Sequence, residues 1–519
     1  NSDFLVRLIG APFILVAGLS AYAIARELRA PRATAVLAAV AFAAIPAVAR
    51  TAYLGAKPDP VMLATFGTGV LFALRHLRIG RTSDLVLGGL SLGICFGTKW
   101  YAVPDVAIVV AVWGGAALVQ RRGRDFVLRG GAILAGLIAL AGGFWFLRNG
   151  VGTGNPLYPL ATPGFGDAPT DFYRECVGYS IAYYLTDTDV LRNSIWPGLQ
   201  AGLGFGGVVL FAGWLGASGL AIKDAARRGA PVEATDARSA GKAARRRQRR
   251  AGAAVATVAV MSGILGLGYV LTPYTALGLD GVPTAVAGQA RYATPALLLA
   301  APLLAWVAGR LGKLRVGVEL LTLLAVMDGV GRAFDVTAAN LVVAVVGLAA
   351  ATGAGYAIYV ARHHRRILVP VAAATALAAF GIADFRQHEF DDGRYETDAV
   401  IAYLSDTAPG NARIALAGGP PSAEVAPAWP AFGKRLDRTV EYLGHEVNGQ
   451  LREYDDENAW RRAIEDGKYD LIVVGRGGYA PECRLPGAET DDDAWARNAG
   501  FRVVARTDRQ TVYAVGRSD

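Results

Sequence analysis

The chain has 519 residues, 53% of them hydrophobic, and 52 Lys/Arg against 43 Asp/Glu give a formal net charge of +9. Its apolar residues gather in blocks long enough to cross a hydrocarbon core of roughly 30 Å, with charges between the blocks, which excludes a soluble globular protein. The basic excess is a poor nucleic-acid signal, because the clustered cations flank apolar blocks, where anionic lipid is the simpler partner.

In chain order, twelve transmembrane helices are predicted near 5–25, 33–49, 59–75, 84–99, 102–120, 130–147, 201–222, 251–272, 293–309, 315–331, 339–361 and 367–383. Alternate connections are basic: Arg26/Arg29/Arg32, Arg75/Arg78/Arg81, Arg121/Arg122/Arg124/Arg129, the 223–250 loop with ten Lys/Arg, Arg310/Lys313/Arg315 and Arg362/Arg365/Arg366. By the positive-inside rule these face the cytoplasm. The other connections then face outward: 50–58, the turn near 99–104, 148–200, 273–292, 332–338 and everything after 383. Asn1 is also outside, so a chain with a cytoplasmic N-terminus is expected to carry one more helix upstream.

Charge divides the chain as well. Residues 1–383 carry 35 Lys/Arg and 18 Asp/Glu, a net +17, whereas residues 384–519 carry 17 and 25, a net −8. The fold class is thus a polytopic all-α membrane bundle over 1–383, with an external loop at 148–200 and a basic cytoplasmic loop at 223–250, followed by a small extracytoplasmic α/β domain over 394–519. In that domain strands are predicted at 413–418, 439–443, 469–475, 501–506 and 511–516, and helices at 396–406, 457–466 and 491–499. Gly418-Gly419 reads as a turn, because no GxGxxG follows.

Four cations end on the outer side against the positive-inside trend: Lys57, Lys99, Arg148 and Arg291. Arg148 closes the apolar run Phe144–Leu147 and is followed by the turn Thr153-Gly154-Asn155-Pro156-Leu157-Tyr158-Pro159. Arg and aromatic residues at helix ends also serve as interfacial anchors, and a lysine such as Lys99 can snorkel; the alternative is that these cations face a lipid phosphate. Asp59, between Pro58 and Pro60, caps a helix start, or orients an acceptor hydroxyl or supports a catalytic base. Tyr53, Asn155, Tyr158 and Tyr292 are the candidate substrate contacts beside these charges. No metal-ligand spacing surrounds His388 or His445, and His363-His364 reads as a solvated loop. Cys95 lies inside a span, while Cys176 and Cys483 are both outward and available for a disulfide. Asp328 is a candidate for proton coupling, or simply a helix-end residue.

At Asp3-Phe4-Leu5-Val6-Arg7-Leu8, Lys57-Pro58-Asp59-Pro60, Gly97-Thr98-Lys99-Trp100-Tyr101, Leu147-Arg148-Asn149, Thr153–Pro159 and Gln289-Ala290-Arg291-Tyr292 the chain resembles the GT-C superfamily of polyprenyl-phosphate-sugar-dependent glycosyltransferases. The likeness is to the bacterial branch with the protein O-mannosyltransferases and the lipid A aminoarabinose transferase, and it spans most of residues 1–383. It implies an inverting transfer of a sugar from a polyprenyl phosphate to an acceptor hydroxyl on the outer face of a bacterial plasma membrane. It also implies donor-phosphate contacts at Lys57, Lys99, Arg148 and Arg291, with Asp59 as a supporting carboxylate. The family's main catalytic aspartate follows its first helix, so this sequence is expected to begin beyond it. No nucleotide site is needed, since the lipid carrier is already activated; no cofactor is expected, and a divalent metal is left open. Two other classes fit the composition: a transporter or flippase of lipid-linked sugars, and a non-catalytic cell-envelope assembly protein. The first should show mid-membrane ionisable groups and internal repeats, and neither is visible.

Overall fold

The computed structural model describes residues 9–53, 57–158, 179–229, 240–273, 275–283, 285–333, 399–418, 428–433, 435–447, 450–475, 491–507 and 510–516. The predicted spans at 339–361 and 367–383, and the pair Cys176 and Cys483, lie outside these residues.

The first part is a helical bundle. Helices α1 (Gly10–Glu27), α2 (Arg32–Ala43) and α3 (Pro46–Tyr53) lead into α4 (Asp59–Ile79), α5 (Thr82–Thr98), α6 (Ala102–Val119), α7 (Arg124–Gly142) and α8 (Phe144–Thr153). A long helix α9 (Trp196–Gly229) and α10 (Ala240–Leu271) follow, then a hairpin of β1 (Gly278–Leu279) and β2 (Val282–Pro283). The bundle continues with α11 (Val286–Gln289), α12 (Thr294–Ala308) and α13 (Arg315–Ala333).

Among the described residues six helices are long and apolar enough to cross a membrane, or seven if the bent pair α2–α3 counts as one. The sequence reading treated 33–49 as one straight span; the chain turns by 73° there, where Pro46 cannot continue the hydrogen bonding of the preceding turn. α13 is less apolar than most of these helices, because it carries Arg315, Glu319, Asp328 and Arg332. The predicted 223–250 loop is largely helix, with α9 running to Gly229 and α10 starting at Ala240, so the arginines of 245–250 lie on the first turns of α10.

Every residue of α12 is buried, as expected of a helix that is apolar on all sides. It packs on α9, α10, α2 and α1, and α4 packs on α5 and α1. By contrast, α7 and α8 leave Leu128, Leu140, Phe144 and Leu147 exposed, a surface suited to lipid. Cys95 is fully buried within α5, as the sequence suggested.

α9 is broken inside. Gly204 has φ +60 and ψ −167, and the freed Phe205 N–H donates to Asp328 Oδ2 of α13 at 2.7 Å.

The tail folds as an α/β sheet. Its strands are β3 (Arg413–Ala417), β4 (Thr439–Tyr442), β5 (His445–Val447), β6 (Gln450–Arg452), β7 (Leu471–Gly475), β8 (Arg502–Arg506) and β9 (Gln510–Ala514). Five of them form one sheet in the order β4-β3-β7-β9-β8, parallel across β4-β3-β7 and antiparallel beyond, while β5 and β6 make a separate hairpin. The helices α14 (Ala399–Ala402), α15 (Ala428–Ala431), α16 (Glu457–Gly467) and α17 (Asp491–Asn498) accompany it. Gly418 has φ +81, and a Cβ there would lie 2.3 Å from the Gly475 carbonyl oxygen. Close approach of two strand ends therefore explains this glycine.

Candidate active site

Pro58 and Pro60 flank the entry to α4, and Asp59 is its first residue. The Asp59 carboxylate reaches across to the end of α5. Lys99 Nζ donates to Asp59 Oδ2 at 2.7 Å, and Tyr101 Oη donates to Asp59 Oδ1 at 2.9 Å. The Asp59 side chain is 2% exposed and that of Lys99 24%, so a buried carboxylate is held by a lysine that still meets the surface. The turn Lys99–Tyr101 between α5 and α6 makes both contacts possible, because it lets residues two apart point back over α4.

Arg291 completes the group. It lies in the tight turn 290–293 between α11 and α12, its Nη2 donates to Gln289 Oε1 at 3.2 Å, and its guanidinium lies 5.2 Å from the centre of the Tyr292 ring. The Tyr292 ring meets Tyr101 edge-on at 4.7 Å. Arg291 is close enough for its charge to act on Asp59, Lys99 and Tyr101. Burial pulls the Lys99 ammonium below its ordinary range and Asp59 opposes that pull, while Arg291 and the exposed Lys57 add to the depression. Burial, reinforced by Asp59, pushes the Tyr101 phenol well above its usual range. Two cations, Lys99 and Arg291, thus act on one carboxylate, with Lys57 further out near Lys99, and an anion brought to this rim would relieve their mutual repulsion.

Arg148 stands apart from that cluster. It is exposed on α8, with its guanidinium 5.4 Å from the Trp145 ring centre. α8 is anchored to the same turn through Phe146, which stacks on Phe96 at 4.6 Å and meets Trp100 edge-on at 5.4 Å. A cavity of about 250 Å³ lies between them, lined by Thr98, Lys99, Trp100, Trp145, Phe146 and Asn149 among others.

Asn155 is fully buried, and its Oδ1 accepts from Leu157 N at 2.9 Å. Asn149 Nδ2 donates to the Tyr158 carbonyl at 3.0 Å. The structure thus uses Asn155 to build the turn after α8, and Tyr158 is half-buried within it. Tyr53 ends α3, but its side chain lies outside the described residues.

Sequence reasoning left three participants off the site: Tyr101, Gln289 and Asp105. Asp105 is in the first turn of α6, four residues after Tyr101, and its Oδ2 is buried without a hydrogen-bond partner. Their signal was spacing, since Tyr101 and Asp105 share a helix face. The His445 ring lies 5.5 Å from that of Tyr454 and is tilted against it by 39°, and among the described residues no three His, Cys, Asp or Glu side chains gather to hold a metal ion.

An apolar groove of about 570 Å³ runs between α9, α10 and α12, lined by Ala293, Leu203, Gly207, Phe211 and Trp214 among others.

Residues 1–144 match the model of a family described as dolichyl-phosphate-mannose-protein mannosyltransferase. The fold is similar to that of ArnT from Cupriavidus metallidurans. For ArnT bound to undecaprenyl phosphate the TM-score is 0.50 at 16% identity, covering 99% of this chain and 84% of that one. For ArnT in the apo state it is 0.51 at 16% identity, covering 98% and 83%. No curated protein matches the chain in sequence.

Proposed function

We propose that this chain, which has the GT-C fold, is a membrane glycosyltransferase that moves a sugar from a polyprenyl-phosphate carrier to an acceptor hydroxyl. The observation that carries this reading is the convergence of Lys99 and Arg291 on a buried carboxylate, together with an apolar groove that begins at Ala293, two residues on from Arg291. A polyprenyl phosphate has the matching form, with an anionic head on a long apolar tail.

In the proposed step the acceptor oxygen attacks the anomeric carbon while the bond from that carbon to the phosphate oxygen breaks, with inversion. The electron pair leaves with the phosphate, which gains negative charge that Lys99 and Arg291 stabilise, and the acceptor proton passes to a base. Preorganised cations at a poorly hydrated rim suit this task, because they need no reorganisation as charge develops. Both oxygens of Asp59 are engaged by Lys99 and Tyr101, so its part is to hold Lys99 in place. Lys57 and Arg148 are placed further out, where they would draw the phosphate in. The alternation of basic connections supports reading this rim, and the C-terminal domain, as facing outward from a bacterial plasma membrane.

The test is binding of undecaprenyl phosphate to purified protein in detergent. Wild type should bind it, and Lys99→Met and Arg291→Met should each weaken binding about tenfold or more, since a charge-assisted contact is worth about 1.5–3 kcal/mol. Undiminished binding by both variants would refute the assignment.

A further inference from the structure

The break in α9 lies along the apolar groove. Leu203, Gly204, Gly207 and Phe211 all line it, so the groove owes its shape to a helix that is not straight. Gly204 has φ +60, a conformation other residues rarely adopt, and a Cβ there would lie 2.8 Å from Asp328 Oδ2. Breaking a helix among apolar neighbours strands backbone N–H groups, and each stranded group is costly unless a partner is supplied. Here the partner comes from another helix, as Phe205 N donates to Asp328 Oδ2 at 2.7 Å.

That carboxylate is itself held. Arg332 Nε donates to Asp328 Oδ1 at 2.7 Å, and Arg50 of α3 donates to the Arg332 carbonyl at 2.7 Å. One residue on from Asp328, Gly329 lets α13 press against the bend between α2 and α3, where a Cβ would lie 2.2 Å from the Ala44 carbonyl oxygen. The outer half of α9 is clamped separately, because a Cβ at Gly202 would lie 2.5 Å from that of Ala290. With the outer half fixed beside Arg291, the angle at Gly204 decides how the inner half runs along the groove.

Building on the transferase reading, we infer that Asp328 is a positioning residue, whose carboxylate caps the break in α9 and thereby shapes the groove that takes the carrier's polyprenyl chain. This replaces both sequence-based readings of Asp328, as a proton-coupling group and as an ordinary helix-end residue.

The experiment reads shape and binding separately. Spin labels at Gln200→Cys and Leu215→Cys, with the native cysteines replaced, report the distance across the break by pulsed EPR. An unbroken helix would separate these positions by about 22 Å along its axis. Asp328→Ala should shift or broaden the distance distribution, while Asp328→Asn, whose amide oxygen still accepts from Phe205 N, should keep the wild-type distribution. In parallel, Asp328→Ala should weaken undecaprenyl phosphate binding about tenfold, on the order of the loss of one helix cap, and leave dimethylallyl phosphate, whose single isoprene unit is too short to follow the groove, within twofold. The Asn variant should bind both like wild type.

An unchanged distance distribution in Asp328→Ala overturns the inference whatever the protein binds. A changed distribution with equal weakening of both ligands, or of neither, overturns the positioning role. A wild type that binds neither ligand defeats the transferase reading, and the distances still judge the hinge.

Discussion

Asp59→Asn tests whether one buried ion pair organises the rim. The asparagine is nearly isosteric and keeps an oxygen for Tyr101, so packing changes little and the charge is what is lost. Removing one partner of a fully buried pair costs about 3–5 kcal/mol. Asp59 is 2% exposed but Lys99 is 24% exposed, and partial solvation of the lysine brings the cost to about 2–3 kcal/mol. Neutralising Asp59 also leaves Lys99 facing Arg291 and Lys57, cations whose charge already acts on it. Lys99→Gln in the Asp59→Asn background removes that stranded charge and should return at least half of the lost stability, a coupling that a double-mutant cycle isolates. Thermal unfolding of the four proteins in one detergent, followed by retention of the monodisperse species, gives the comparison. Transfer should be nearly abolished in all three variants, because each disturbs or removes Lys99. If Asp59→Asn melts with wild type and the double variant merely adds the two single effects, the pair does not organise the rim.

Three further predictions follow from other parts of the molecule. Arg148→Ala, at an exposed side chain, should barely change stability, yet lower the proposed transfer by roughly one to two decades; Arg148→Lys should recover part of it, and activity within twofold of wild type in the alanine variant removes Arg148 from the site. Cysteines at Lys223 and Glu465, both exposed, should label from opposite sides of the membrane in intact cells, and labelling of both from one side breaks the assigned topology. In the C-terminal domain, burial, with the neighbouring Asp491 and Asp493, lifts the Asp492 carboxyl from 3.8 to about 6. A raised carboxyl contributes stability that is fully present below about pH 4 and lost as pH rises through 6, so Asp492→Asn should stabilise the domain by roughly 3 kcal/mol at pH 7.5 and by almost nothing at pH 4. Hydrogen exchange across 491–516 measures this, and equal protection at both pH values in variant and wild type would count against it.

Much of the tail was legible because its strands are short apolar runs bounded by turn residues. The predicted 413–418, 439–443 and 501–506 begin within a residue of β3, β4 and β8. The hairpin β5–β6 was missed although Asn448-Gly449 stands between its strands, a strong two-residue turn signal. In the bundle, apolar length located the helices but concealed their breaks. Gly204 is one of several glycines in the run Gly202–Gly207, and only the partner at Asp328, 124 positions later, marks it as the one that bends. The site was legible in part for the same reason. Sequence showed that Asp59, Lys99 and Arg291 share a rim, because each ends an apolar block. That Asp59 would turn to Lys99 and Tyr101 depends on how α4 packs against α5, which no local pattern records. Asn155 suits a ligand contact and a turn equally well by residue type, and the structure shows its part in the turn.

The order of strands in the C-terminal sheet also bears on how the chain is made. β7, Leu471–Gly475, is buried along its whole length and pairs with β3 on one side and β9 on the other. β9 begins at Gln510, 35 positions after β7 ends at Gly475. During synthesis, therefore, a fully apolar strand emerges with one edge already matched by β3 and the other bare until β9 arrives. A bare apolar edge is a template for the same strand of a neighbouring chain, so nascent chains are most open to pairing with one another in that interval.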